Sequence, residues 1–232
     1  ELYPGRIDLG LGRAPGTDGP TMRALRRNRV ETEEDFPRDV QELQRLLAPA
    51  QAGQPIVAVP GAGTNVPIWL LGSSLFSAQL AAHLGLPYAF ASHFAPRMLH
   101  QALAIYRQTF KPSAALAKPY AIVGVPVIAA PTDAEAQFLA SSTYQRVLGI
   151  LTGNRTRLQP PVEGFMEQVS ERERAAIADF LAVGIIGGPQ TVRPGLQALA
   201  QATQADEFML VSDVFDVDLR LRSLQLTAQA MV

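Results

Sequence analysis

The sequence predicts an α/β protein built from parallel strand–helix units, and three observations carry that prediction. Short apolar runs alternate with longer segments of helical periodicity along most of the chain. Most of those runs are continuously apolar, as strands covered by helices on both faces should be. The helical segments begin and end on residues suited to capping.

The elements follow in order. Candidate strands lie at Ile7–Leu11, Ile68–Leu71, Tyr88–Ala91, Tyr120–Ile128 and Phe208–Val211. The fourth is long enough to overrun its sheet. Asp35 precedes Phe36-Pro37 and an apolar stripe at Val40, Leu43 and Leu47, the pattern of a capped helix. A helix over Leu75–Leu84 should close on Gly85. Pro96 opens another, with Leu99, Leu103, Tyr106 and Phe110 on one face and Lys111-Pro112 at its end. Thr132 with Glu135, and Ser170 with Glu173, have capping-box spacing. Pro189 opens a further helix, and Asp216 caps the last. Two stretches break the rhythm: a Gly/Pro-rich and then Arg-rich loop at 12–34, and a crossover at 152–169 containing Pro160-Pro161. Loops that follow strands shape pockets in such folds. Five strands cannot close an eight-stranded barrel, whereas a small doubly wound sheet can use five, so the alternation alone leaves both architectures open.

Composition narrows the function classes. Of 232 residues, 47% are hydrophobic and 18% charged, which suits a large core and argues against disorder. A formal net charge of −1 gives no electrostatic basis for binding nucleic acid or an anionic membrane. With no cysteine, disulfides, thiolate metal sites and Cys nucleophiles are excluded, and a reducing cytoplasm is the expected setting. No apolar run is long enough to span a bilayer, and the chain opens on Glu1 without a signal-peptide pattern, which suggests a processed, trimmed or fragmentary N-terminus. Asp206, Asp213, Asp216 and Asp218 have no standard metal-loop spacing, so no metal site is expected.

Two constellations carry chemistry. In Arg6–Asp18 a buried strand ends in Gly10 and Gly12 and then presents Arg13 at its C-terminal edge. Glycines there let a ligand approach the backbone, and the guanidinium is a forked donor suited to phosphate, although a tight turn with a surface Arg has the same pattern. In Pro67–Ser77 a strand runs into Gly72-Ser73-Ser74 and then a helix. The first amides of a helix lack intrahelical partners and the dipole there favours an anion. Ser74 and Ser77 lie one turn apart, although simple capping is the commoner role of such serines. Two anion-ready strand tips in one α/β chain point to a phosphate-bearing ligand.

Arg6–Asp18, Pro67–Ser77 and Leu84–Phe94 resemble successive blocks of the luciferase-like flavin monooxygenase family, and Gly187–Val192 resembles its small-residue turn before the penultimate helix. Within the family, the likeness is to single-chain, luciferase alpha-like oxidoreductases. It implies a (β/α)8 TIM-type barrel, of which this chain supplies about the last five βα units as one barrel domain over 1–232, with the N-terminal third lacking. The strand at Ile7–Leu11 would then be left with an unpaired edge.

The same resemblance implies FMN as cofactor. It places Arg13, Ser73 (through its backbone), Ser74 and Ser77 around the phosphate, with Arg23 as a second guanidinium, and Ala91 and Ser92 beside the flavin ring. His93 follows the same strand and is placed for a catalytic, substrate or flavin contact, whereas His83 and His100 sit on helices in structural roles. Luciferase has an acidic residue at the Ser73 position, a Trp at Ser92 and a Cys at Gly12, so light emission is not implied. With Arg23, the residues Arg26, Arg27 and Arg29 form a cluster suited to docking a reductase or an anionic substrate, although for the last three, balanced by Glu31, Glu33, Glu34 and Asp35, a solvated loop is the default reading. The expected activity is oxidation of a small organic substrate, such as an aldehyde, by O2 and reduced FMN from a separate flavin reductase. A homodimer is the expected assembly. A deazaflavin-dependent oxidoreductase and a non-catalytic flavin-binding protein are the alternatives.

Overall fold

The computed structural model describes residues 2–13, Thr21 and 35–231. Its described elements run β1 (Leu9–Gly12), α1 (Phe36–Leu47), β2 (Ile68–Gly72), α2 (Leu75–Leu84), β3 (Tyr88–Phe90), a 3-10 turn at Pro96–Met98, α3 (Leu99–Thr109), β4 (Ala121–Ala129), α4 (Asp133–Leu151), α5 (Phe165–Gln168), α6 (Glu171–Phe180), β5 (Ile185–Gly187), α7 (Pro189–Thr203), β6 (Glu207–Val211) and α8 (Val217–Met231). The α/β class expected from the alternation is therefore the class observed. Six strands are described rather than five. The additional one, β5, is three residues long with Gly184 before it and Gly188 after it, which hid it among turn signals.

The chain divides into two compact units, Glu1–Ala89 with Gln101–Ala121, and Phe90–His100 with Ile122–Val232. In the first, β1 and β2 pair in parallel, Leu9 opposite Ile68 and Gly12 opposite Leu71. Among the described residues β2 is the one strand neighbour of β1. The Leu70 amide donates to the Pro87 carbonyl, and the Tyr88 amide to the Tyr120 carbonyl, which ties the starts of β3 and β4 into the same unit. Leu70, Ala78, Leu86, Tyr88, Leu103 and Tyr106 form its core, with the Tyr88 and Tyr106 rings tilted at 44° and their centroids 5.3 Å apart. The Tyr106 hydroxyl joins chain segments: it donates toward the carbonyls of Leu86 (2.9 Å) and Tyr120 (3.2 Å) and accepts from the Tyr120 amide (3.1 Å).

In the second unit β4 pairs with two later strands in succession. Residues Ile122–Pro126 pair in parallel with β6, and Val127–Ala129 with β5. That explains its length, which in sequence looks like an overrun. Pro126, which has no amide hydrogen, stands opposite Val211 at the change of partner, where a missing donor disturbs the ladders least. The core of this unit is built on Ile128, Leu139, Ala140, Tyr144, Val147, Ile177, Leu181 and Val214.

Capping follows the sequence at most helix ends. The Ser170–Glu173 box is complete, the Thr132 side chain accepts from the Glu135 amide, the Asp216 carboxylate accepts from the Leu219 amide, and α2 ends on left-handed Gly85. Asp35 differs. Its backbone is already helical and its side chain caps nothing, pairing instead with Arg38 at 3.2 Å. Pro37 sits in the first turn, where its missing N–H leaves no intrahelical bond unmade. Among the described residues no helix is long and apolar enough to cross a membrane.

Candidate flavin-phosphate site

The parallel register ends β1 and β2 side by side, so Arg13 leaves one strand as Ser73 leaves the other. The Arg13 guanidinium lies over the Phe76 ring, 4.4 Å from its centroid. A cation on an aromatic face is attracted by the ring quadrupole, and Phe76 belongs to the first turn of α2. The guanidinium is thereby held beside the helix N-terminus, where an anion is favoured. Ser74 is the N-cap, extended at φ −130° and ψ 163°, and its side chain makes no cap hydrogen bond to α2. Both Ser73 and Ser74 are partly exposed. Ser73, Ser74 and the start of α2 therefore lie at the same end of the strand pair as Arg13.

Ser77 is placed differently from the expectation that its hydroxyl faces the same anion as Ser74. It is buried, donates to the Ser74 carbonyl at 2.7 Å and bonds the Tyr88 hydroxyl at 3.0 Å. Burial pushes the Tyr88 phenol up to about 12, so it stays protonated and is a donor to Ser77 across the ordinary pH range. Tyr88 lies in the next strand, which is why sequence reading missed this support: spacing along the helix shows that Ser74 and Ser77 share a face, but not what stands opposite. Gly72 completes the packing, since a Cβ there would overlap the Ser77 side chain. Glycine is required so that Ser77 can fold in beneath the loop.

Ala91, Ser92 and His93 belong to the second unit. Ala91 is partly exposed, while Ser92 is fully buried and its hydroxyl donates to the Gly124 carbonyl. His93 packs on Phe94 with ring centroids 4.1 Å apart, and its Nδ1 occupies the space over Gly124, where a Cβ would come within 2.5 Å. Burial lowers the pKa of this imidazole first and the Arg146 charge lowers it further, with Asp213 opposing. Arg23 lies outside the described residues. His83 Nδ1 accepts from the Lys111 ammonium at 3.0 Å at the surface of the first unit.

The luciferase-like monooxygenase family matches residues 1–206. Over 228 residues the chain is 50% identical to the uncharacterized protein YvbT of Bacillus subtilis, covering 98% of this chain and 68% of that protein. It is 48% identical over 225 residues to a luciferase-like monooxygenase of Escherichia coli K12, covering 97% of this chain and 67% of the relative. Among solved structures, apo-MsnO8 superposes with a TM-score of 0.81 at 34% identity, covering 99% of this chain and 69% of that one. Its parallel strand–helix order, its two adjoining strand tips and these matches together make this chain a member of the luciferase-like monooxygenase family of flavin-dependent oxidoreductases.

Proposed function

We propose that the protein is an FMN-dependent monooxygenase that uses O2 and reduced flavin to oxidise a small organic substrate, with an aldehyde as one candidate. The observation that carries the cofactor choice is the Arg13 guanidinium resting on Phe76 beside the uncapped start of α2. A phosphate monoester matches that set. It is dianionic near neutral pH, accepts several hydrogen bonds, and gains from both the guanidinium and the helix terminus. Arg13, the Ser73 backbone and the Ser74 hydroxyl would hold it, and Ser77 would brace the loop from beneath through Ser74 and Tyr88.

When bound, the flavin supplies the redox chemistry, and the protein's share is to orient it and to keep water from the reacting atoms. The family resemblance assigns Arg23 to the phosphate and Ala91 and Ser92 to the ring, and these assignments belong to the proposal. So do supply of the reduced flavin by a separate reductase, a homodimeric assembly and a cytoplasmic setting. A family match that runs unbroken from residue 1 to 206 supports one luciferase-like barrel domain rather than two independent ones.

The test is titration of the protein with FMN, riboflavin and a deazaflavin cofactor, followed by flavin fluorescence. FMN should bind well above riboflavin, and Arg13→Ala should weaken FMN by roughly tenfold to a hundredfold, the range of a charge-assisted bond to phosphate. Riboflavin, without phosphate, should be indifferent to that change. Equal binding of FMN and riboflavin would remove the proposed basis of the site, and a preference for the deazaflavin would move the chain to the other redox carrier.

A further inference from the structure

Four buried side-chain atoms of the second unit have no hydrogen-bond partner among the described residues: His93 Nδ1, Ser142 Oγ, Arg146 Nε and Ser212 Oγ. Native folds rarely leave such atoms unpaired, and each calls for a specific explanation. These four adjoin. Ser142 stands one turn before Arg146 on α4, and Thr143 between them reaches the Asp213 carbonyl at 3.4 Å. Ser212 immediately precedes Asp213, whose carboxylate pairs with the Arg146 guanidinium at 2.6 Å. Both Arg146 and Asp213 act electrostatically on His93. The Arg146 and Asp213 side chains are 27% and 29% exposed, so the ion pair beside these atoms reaches solvent.

We propose that Ser142, Arg146, Ser212 and His93 form a recessed site for an uncharged carbonyl oxygen, of the ketone, ester or amide kind, on an organic ligand. The inference rests on the oxidoreductase reading above only in calling that ligand a substrate. Charge selects it. Arg146 is already neutralised by Asp213, and burial together with Arg146 holds His93 toward its neutral form. A carboxylate would bring a second negative charge against Asp213, and an ammonium would face Arg146. Hydrogen bonding selects it further: the unspent groups are one guanidinium N–H, two hydroxyls and one imidazole nitrogen. A carbonyl oxygen, with two lone pairs and no proton, can be served by several of these donors at once. No residue at the flavin-phosphate site is involved.

The probes are octan-2-one, octanoate and octylamine, titrated calorimetrically into the intact protein without flavin. The ketone should bind, and the two charged probes should bind at least tenfold more weakly. The Ser142→Ala/Ser212→Ala double variant and, separately, Arg146→Gln should each lose about tenfold in ketone affinity, the loss of roughly one hydrogen bond's worth of binding. FMN affinity should stay at the parent value in both. Because the two serine hydroxyls lack partners, the double variant should melt no lower than the parent; a purely structural role would lower its melting temperature. Should Arg146→Gln fail to fold, the double serine variant decides. No ketone binding by the parent, unchanged ketone affinity in the double variant, or octanoate binding as tightly as the ketone would each overturn the assignment. Loss of FMN binding in the parent would instead strike the proposed function and leave the ketone result standing.

Discussion

Ser77→Ala separates two roles that a serine at the flavin-phosphate site can have. In the structure its hydroxyl is engaged on both sides, donating to the Ser74 carbonyl at 2.7 Å and bonded to the Tyr88 hydroxyl at 3.0 Å. Alanine removes both bonds. It takes the Ser77 hydroxyl away from the buried Tyr88 phenol, whose contact with the Ser74 carbonyl at 3.4 Å is weak. At about 1 kcal/mol net for each bond, the loss is about 2 kcal/mol. For a chain of this size that corresponds to a fall in melting temperature of roughly 4–8 °C. FMN affinity should fall only a few-fold, through a looser loop, and Tyr88→Phe should reproduce both changes in smaller measure because it removes one of the two bonds. Differential scanning fluorimetry beside an FMN titration reads both quantities on the same sample. A hundredfold loss of FMN affinity with an unchanged melting temperature, and a silent Tyr88→Phe, would refute this reasoning and return the Ser77 hydroxyl to direct contact with the phosphate.

Two further outcomes follow from buried polar groups. The folded pKa of His93 lies below its ordinary 6.5, chiefly through burial and then through Arg146. Between those two values the unfolded chain binds more protons, so stability is complete above about pH 6.5 and declines as the pH falls toward the folded value. Melting curves of His93→Gln should therefore be flatter over that acidic window than those of the parent, and parallel slopes would exclude His93 as the source. Tyr106→Phe strips a hydroxyl that bonds the Tyr120 amide and reaches the carbonyls of Leu86 and Tyr120. A destabilisation of about 1–3 kcal/mol in urea unfolding is expected, because the Tyr120 amide is left without that acceptor; an unaltered midpoint would show that water takes the phenol's place.

Local rules made much of this architecture readable in advance. The capping box at Ser170, the one-sided cap at Thr132 and the left-handed end at Gly85 depend on neighbours within four residues, and each appears where the spacing put it. Arg13 and Ser74 share one end of their unit because two consecutive parallel strands must end on the same side, which is a topological consequence and needs no side-chain detail. What escaped notice was set by contacts distant in sequence. β5 owes its strand conformation to pairing with β4, which three residues flanked by glycines could not announce. Asp35 looked like a cap, but an ion pair with Arg38 and a helical backbone gave it another role. The alignment of Ser142 with Arg146 is visible on a helical wheel, yet their meeting with Asp213 depends on where β6 ends, and periodicity carries no information about that.

The change of partner within β4 also bears on how the second unit tolerates variation. Pro126 is the last residue opposite β6 and Val127 the first opposite β5, so the two ladders meet at a residue that contributes no donor to either. Each half of the strand thus keeps register with a different one of these two later strands. A residue inserted on one side of the proline would shift the register with one of these two strands, whereas one inserted at the proline would force both to renegotiate their alignment together. Lengthening or shortening of the chain in this unit is for that reason best accommodated in the crossover between α4 and α5, where no ladder has to be re-indexed.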